Sequence, residues 1–313
     1  MSHRKVRRIG YQAAAAVVVL ALALFLVSNT VANLESRRIA SGFAFLGREA
    51  GFEIGESFFL AFDSAQTYLK ALAVGLANTF KVALLGILLT TILGVAIGIS
   101  RFSNAPLLKA LAAAYVEFVR NVPLLVQLFF WYALITQLPP PREALQPLPG
   151  LFLTNRGIFF PLPGGVPTLE GFNFAGGASL SPEFATLLIG LTLYTAAFIA
   201  EIVRAGILAI ERGQFDAAYA LGLGRAATLR HVVLPQALRV IVPPLTSQYL
   251  NLIKNSSLAV AIGYPDLVSI ANTTINQTGQ AIEGVAIIMA VYLAISLAIS
   301  AFMNWYNARL ALR

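Results

Sequence analysis

Between Val82 and Ser100 the chain carries no charged side chain, and the same is true of Tyr11–Ala32, Leu124–Leu138, Phe184–Ala200 and Gly284–Trp305. About 20 consecutive apolar residues are enough for a helix to cross the hydrocarbon core of a bilayer. Repetition of such runs constrains this chain more than any other feature does. A large soluble protein with a thick apolar core is the alternative. Hydrophobic residues make up 58% of the chain and charged residues only 12%, whereas soluble domains carry about a quarter charged, and the mean hydropathy is +0.76. A membrane protein is the expectation.

The spans follow from where the runs stop. His3-Arg-Lys-Val-Arg-Arg8 precedes an uncharged stretch from Ile9 to Leu34, too long for the apolar core of a signal peptide, so an uncleaved first helix over Tyr11–Ala32 is expected. Residues 35–67 mix Phe43, Phe45, Leu46, Phe52, Ile54, Phe58, Phe59 and Phe62 with Arg48, Glu49, Glu53 and Glu56. That pattern suits an external segment lying on the membrane or on the helix bundle. A second span covers Val82–Ser100, with Lys81 reaching the outer interface. A third runs from Ala110 through a kink or break at Pro123 to Leu138, and Pro139-Pro-Pro141 ends it. Residues 139–183 form a Pro/Gly-rich external loop without helical periodicity. The fourth span is Phe184–Ile210, the fifth Val240–Gly263 with a break at Pro243-Pro244, and the last Gly284–Trp305.

Charge placement orients these six spans. Arg4, Lys5, Arg7, Arg8, Arg101, Lys109, Arg204, Arg212, Arg225, Arg230, Arg239, Arg309 and Arg313 fall on one side, and Arg37, Arg38, Arg48, Arg142 and Arg156 on the other. The positive-inside rule puts the richer side, and both termini, in the cytoplasm. The Arg37-Arg38 pair goes against that trend. The net charge of +8 is spread between apolar runs rather than along one helix face, which argues against a nucleic-acid partner.

Enzyme chemistry has little material. There is no cysteine, and His3 and His231 are the only histidines, so thiol nucleophiles and most zinc or haem sites drop out. No phosphate-binding loop of the Gly-x-x-x-x-Gly-Lys-Ser/Thr type occurs, and Gly222-Leu-Gly224 is too short for a dinucleotide fingerprint.

Polar groups inside spans are more informative, since charge there is costly and turns toward a bundle interior or an aqueous path. Glu117, Arg120, Pro123, Gln127, Glu201 and Arg204 are candidates for structural pairing or gating. Gln248, Asn251, Lys254, Asn255, Ser256 and Ser257 bring a cation and several hydrogen-bonding groups to one proline-containing span. They suit a solute path, with a structural ion pair or a gate as the plainer alternative.

The segment Gly213–Pro235 is the polar interruption. Asp216–Leu221 is expected to form a short helix with its acid in the first turn, ended by Gly222 and Gly224. A second short helix is expected over Ala226–Val233, stopped by Leu234-Pro235. Two small-residue helices around glycines make a low-profile knob suited to a groove on another protein.

At these residues the chain resembles a known family. Asp216-Ala217-Ala218, three residues, Gly222, nine residues and Val232-Val-Leu234-Pro235 are similar to the Glu-Ala-Ala signature of binding-protein-dependent ABC importer permeases. Asp216 replaces the family's glutamate and Val232 its isoleucine. Asn78-Thr79-Phe80, Tyr115-Val-Glu-Phe-Val-Arg120 with Pro123-Leu-Leu-Val-Gln-Leu128, Glu201-Ile-Val-Arg-Ala-Gly206 and Lys254-Asn-Ser-Ser-Leu258 narrow the resemblance to the polar amino-acid branch. It covers roughly residues 72–310. The extra first helix and external segment look like those of the general L-amino-acid permease subfamily.

The resemblance implies an all-α membrane protein: a MetI-like permease core of five transmembrane helices plus one extra N-terminal transmembrane helix. Residues 1–70 would hold that helix and the periplasmic segment, and 71–313 the permease domain with its coupling loop at 213–235. It implies a multi-pass location in a bacterial inner membrane and ATP-driven import of polar or general L-amino acids. The implied partners are two ATPase subunits, a second homologous but unlike permease, a periplasmic amino-acid-binding protein and membrane lipid. ATP and magnesium would bind the ATPase, leaving no cofactor and no catalysis in this chain. Coupling would fall to Asp216, Ala217, Ala218, Gly222, Arg225, Leu234 and Pro235. An ion-coupled secondary amino-acid transporter is the rival, but such proteins show matched halves with a broken helix in each, and no such halves are evident.

Overall fold

The computed structural model describes residues 3–36, 41–57, 59–163 and 165–311. Arg37, Arg38, Phe58 and Arg313, which entered the reading of topology and of the external segment, lie outside the described residues.

The chain is a helical bundle with a small antiparallel sheet. The long helices are α1 (His3–Ser36), α2 (Tyr68–Ser100), α5 (Pro182–Leu208), α8 (Leu234–Asn255) and α10 (Ala281–Ala311). Between them lie α3 (Pro106–Asn121), α4 (Leu124–Thr136), α6 (Arg212–Ala220), α7 (Arg225–Thr228) and α9 (Leu267–Thr278). Among the described residues four helices, α1, α2, α5 and α10, are long and apolar enough to cross a membrane alone. The count reaches six if α3–α4, bent by 106°, and the stretch from α7 through α8 to α9, bent by 50°, are each one broken span. Among the described residues none of the apolar window of α1 is buried against the rest of the chain.

Helix α2 packs most extensively on α5, and the sequence shows why. Thr90, Gly94 and Gly98 recur every fourth residue, one above the other on a helix. Small residues let two backbones approach closely in a bilayer, where packing replaces the hydrophobic drive. A Cβ on Gly94 would stand 2.7 Å from Cβ of Ile199 and 3.0 Å from the Ala196 carbonyl oxygen. On Gly98 it would meet the Ala200 carbonyl at 2.9 Å. Thr90 extends the seam by donating to the Thr192 carbonyl at 3.3 Å.

The break between α3 and α4 is held by one side chain. Buried Gln127 donates through Nε2 to the carbonyls of Val119 and Val122, each at 3.0 Å. These belong to the carbonyls that the end of α3 leaves without helical partners. Pro123 is the N-cap residue just before α4, where its missing N–H removes no intrahelical bond.

Residues 139–183, read from sequence only as a Pro/Gly-rich loop, carry short antiparallel strands before α5 begins at Pro182. These are β1 (Leu145–Leu148), β2 (Leu151–Thr154), β3 (Gly157–Phe160), β4 (Thr168–Glu170), β5 (Asn173–Ala175) and β6 (Ala178–Leu180). A sheet of order β1-β2-β3-β6 is joined by the β4–β5 hairpin, whose Phe174 stacks on Phe152 with ring centroids 4.3 Å apart.

One expectation fails in the fifth span. Pro243 and Pro244 do not break it: α8 is continuous through both. The prolines lie exposed, so their rings and lost N–H bonds distort only the unpacked side of the helix. The break comes later, where a 3₁₀ turn over Ser256–Ile262 ends at Gly263 with φ +81°. Lys81 is ion-paired with Glu56 of the segment 41–67, a partner the sequence reading did not assign.

Candidate functional site

The segment 213–235 folds as a knob at the far end of α5 from the sheet. Helix α6 begins at Arg212, so Asp216 sits beyond the first turn and gains nothing from the helix N-terminus, contrary to the sequence expectation. Its C-terminus closes as a Schellman motif. Gly222, at φ +79°, donates its N–H to the Tyr219 carbonyl at 2.9 Å, and Leu223 donates to Ala218 at 3.0 Å. Ala218 is buried, whereas Asp216, Ala217, Tyr219 and Arg225 are exposed. Leu221 is 82% exposed. Phe215 anchors the knob in a cluster of Ile210, Val233, Ala237 and Ile241, and Gln236 donates to Gln214 at 3.1 Å.

Leu234-Pro235 does not stop the second helix. A single π turn over Leu229–Val233 follows α7, and α8 starts at once with Pro235 in its first turn. Widening to i→i+5 bonds absorbs the N–H that the proline lacks, and such π turns recur at functional sites. His231 lies exposed on this turn. The consequence is mechanical: helical backbone runs unbroken from Arg225 to Asn255, joining the knob directly to a spanning helix.

Along α8, Asn251 and Lys254 are exposed and Gln248 and Asn255 on the same side are half-buried, while Ile253 is buried on the opposite side and Leu252 is buried at the edge of that face. Ser256 and Ser257 do not join that face as donors. Their hydroxyls donate back to the carbonyls of Ile253 and Lys254, each at 2.7 Å, and Ser256 is fully buried.

The remaining candidates separate into two places. Glu201 bridges Arg204 on its own helix and Arg101 at the end of α2, whose Nη1 lies 2.5 Å from Glu201 Oε2. Arg101 entered the sequence reading only as a topology marker, because a pairing a hundred residues away leaves no local signal. Near the α3–α4 break, the Arg120 guanidinium lies 5.2 Å from the Phe198 ring centre, and Asn121 donates to Glu117 at 3.2 Å. No cluster of His, Cys, Asp and Glu able to hold a metal occurs among the described residues.

Comparison with known proteins gives a consistent result. Residues 86–312 match the family described as the binding-protein-dependent transport system inner membrane component. The chain is 44% identical to the putative amino-acid ABC transporter permease protein YhdX of Escherichia coli (strain K12), over 96% of this chain and 93% of the relative. It is 42% identical to the general L-amino acid transport system permease protein AapQ of Rhizobium johnstonii, over 98% and 93%. Among solved structures, a chain described as an amino acid ABC transporter with histidines aligns with a TM-score of 0.60 at 27% identity, covering 77% of this chain and 95% of that one. A chain of the inward-facing MetNI methionine ABC transporter shares the fold at a TM-score of 0.53 and 19% identity, covering 78% and 95%.

Proposed function

We infer the role of this chain from the family to which it belongs, the inner membrane components of binding-protein-dependent transport systems, and from a knob built into one of its spanning helices. The chain is the permease subunit of an ATP-driven amino-acid importer of the inner membrane, and general L-amino acids are the proposed cargo because two long, near-full-length matches are amino-acid permeases.

The observation that carries the mechanism is the continuous helix from Arg225 to Asn255. The exposed Asp216, Ala217, Leu221 and Arg225 dock on a partner ATPase, with ATP and magnesium bound there. Closure of the ATPase pair moves the knob, and α8 carries that motion to its polar face. Asn251 and Lys254 are too costly to leave against lipid. They therefore face a second, homologous but unlike permease across the solute path, where the Lys254 ammonium would meet an amino-acid carboxylate. A binding protein delivers the solute at the opposite end of α5; the arginine bias supports reading that end as periplasmic, with both termini in the cytoplasm. Coupling of this kind is reciprocal, so the loaded binding protein should in turn stimulate ATP hydrolysis.

The lack of native cysteine makes the docking testable. Ala217→Cys should cross-link to the co-purified ATPase, and the cross-link should block uptake. Purification without any ATPase, or a cross-link only to lipid or detergent, would contradict the assignment.

A further inference from the structure

The external segment 41–67 is a folded strap rather than a tether. Its own ends are tied by Ala50 N–H to the Gln66 carbonyl at 2.7 Å and Gly51 N–H to the Ser64 carbonyl at 2.9 Å. Phe45 and Ala50 are buried with Tyr68 and Leu72 of α2 and Leu267, Ile270 and Ala271 of α9. Gly42 N–H donates to Glu283 at the start of α10 at 2.5 Å. These contacts hold the strap to α2, α9 and α10.

One residue carries it across to α5. Glu56 is ion-paired with Lys81 of α2 and accepts from Ser181 Oγ at 2.5 Å. Ser181 is the N-cap of α5, its Oγ accepting from Phe184 N–H at 3.1 Å, and the N-terminus of that helix favours a nearby anion. Lys81 Nζ lies 3.9 Å from the centre of the Phe184 ring, and Phe184 stacks on Tyr264 at 5.7 Å. Asn78 joins the Glu56 carbonyl at 2.8 Å and the Pro265 carbonyl at 2.9 Å. The pair is largely withdrawn from solvent, with side-chain exposures of 15% for Lys81 and 19% for Glu56. Charge-assisted bonds in such surroundings are stronger than at a free surface.

We propose that Glu56 is a positioning residue of the importer. Acting through Lys81 and Ser181, its carboxylate fastens the strap to the first turn of α5, so that this end of α5 moves together with α2, α9 and α10. The strap thereby sets the arrangement of helix ends at the face opposite the ATPase knob. This rests on the importer reading for its effect on coupling, but the fastening itself can be read without transport.

The test is hydrogen exchange on the intact reconstituted complex. Glu56→Gln keeps size and leaves the Asn78 contact to the backbone in place; amides of 183–187 and of the strap should exchange severalfold faster, with 212–235 unchanged. In Glu56→Ala, acetate should restore slow exchange in the first turn of α5, and acetamide should not. Binding-protein stimulation of ATP hydrolysis should fall in both variants, an effect that loss of stability alone would not give. Unchanged exchange in Glu56→Gln, or equal rescue by acetate and acetamide, overturns the fastening role. Faster exchange with normal stimulation overturns the role in coupling while leaving the importer reading intact; ATP-independent uptake by the unaltered protein would instead remove that reading.

Discussion

Arg101 and Glu201 join the ends of the two most closely packed helices, with Nη1 of one 2.5 Å from Oε2 of the other. Glu201 also holds Arg204 one turn along α5, so a single carboxylate bridges two guanidiniums, one from each helix, and the trio keeps a net positive charge. Glu201→Gln leaves both cations without a counter-charge. The side chains are 21–31% exposed, between the surface and buried regimes, and a loss of about 1–3 kcal/mol is expected. Thermal unfolding of the purified complex should show it, and Arg101→Ala should lose less because one guanidinium partner remains. Equal stability of all three proteins would show the cluster to be dispensable.

The knob depends on backbone conformation at Gly222, where φ is +79° and a Cβ would meet nothing within 4 Å. The cost of Gly222→Val is therefore conformational rather than steric, about 1–2 kcal/mol for a side chain forced left-handed. Uptake should fall while ATP hydrolysis continues. Gly222→Asn, which tolerates that region, should retain more uptake than the valine variant. Normal uptake by the valine variant would mean that the knob is not the coupling element.

Gly98 makes the opposite case. Even a methyl group there would stand 2.9 Å from the Ala200 carbonyl oxygen and 2.8 Å from Cβ of Val203, so Gly98→Ala must push α2 away from α5. Overpacking of this size costs about 1–3 kcal/mol. A lower yield of folded protein and a lower unfolding temperature are expected, and Gly98→Leu should be worse than the alanine variant. A stable Gly98→Leu protein would refute the close approach.

Gln127 predicts a more specific defect. Gln127→Leu fills similar volume but strands the Val119 and Val122 carbonyls, at about 1–3 kcal/mol for buried groups left unbonded. Gln127→Glu should do no better, because a carboxylate cannot donate. Hydrogen exchange around residues 119–128 would register loosening of the break, and identical exchange in the two variants and the parent would exclude this role.

Much of this was legible in the sequence for physical reasons. Apolar runs announce spans because lipid offers the backbone no other partner, and Gly222 announces a helix end because few residues take positive φ. What stayed hidden depends on partners distant in the chain. The strands of 145–180 are three or four residues long, too short for alternation to register, and are held by pairings such as Phe159 with Ser179. Pro243-Pro244 signals a break locally, yet α8 carries both on an unpacked face. Pro235 signals a stop, yet the π turn at Leu229–Val233 accommodates it. Asp216 could be placed in a first turn only by assuming that the helix began there, and the Lys81 ion pair has no local signal because Glu56 is twenty-five residues away.

The central claim is that ATP hydrolysis on a partner drives amino-acid movement through this chain by way of the knob at 213–235. Uptake of radiolabelled L-amino acids into proteoliposomes holding the complete complex, with ATP supplied on the ATPase side and no ion gradient, tests it most directly. Uptake that requires ATP hydrolysis and the binding protein, and collapses in Gly222→Val while hydrolysis persists, is the predicted result. Uptake that continues without ATP and follows an imposed ion gradient would contradict it.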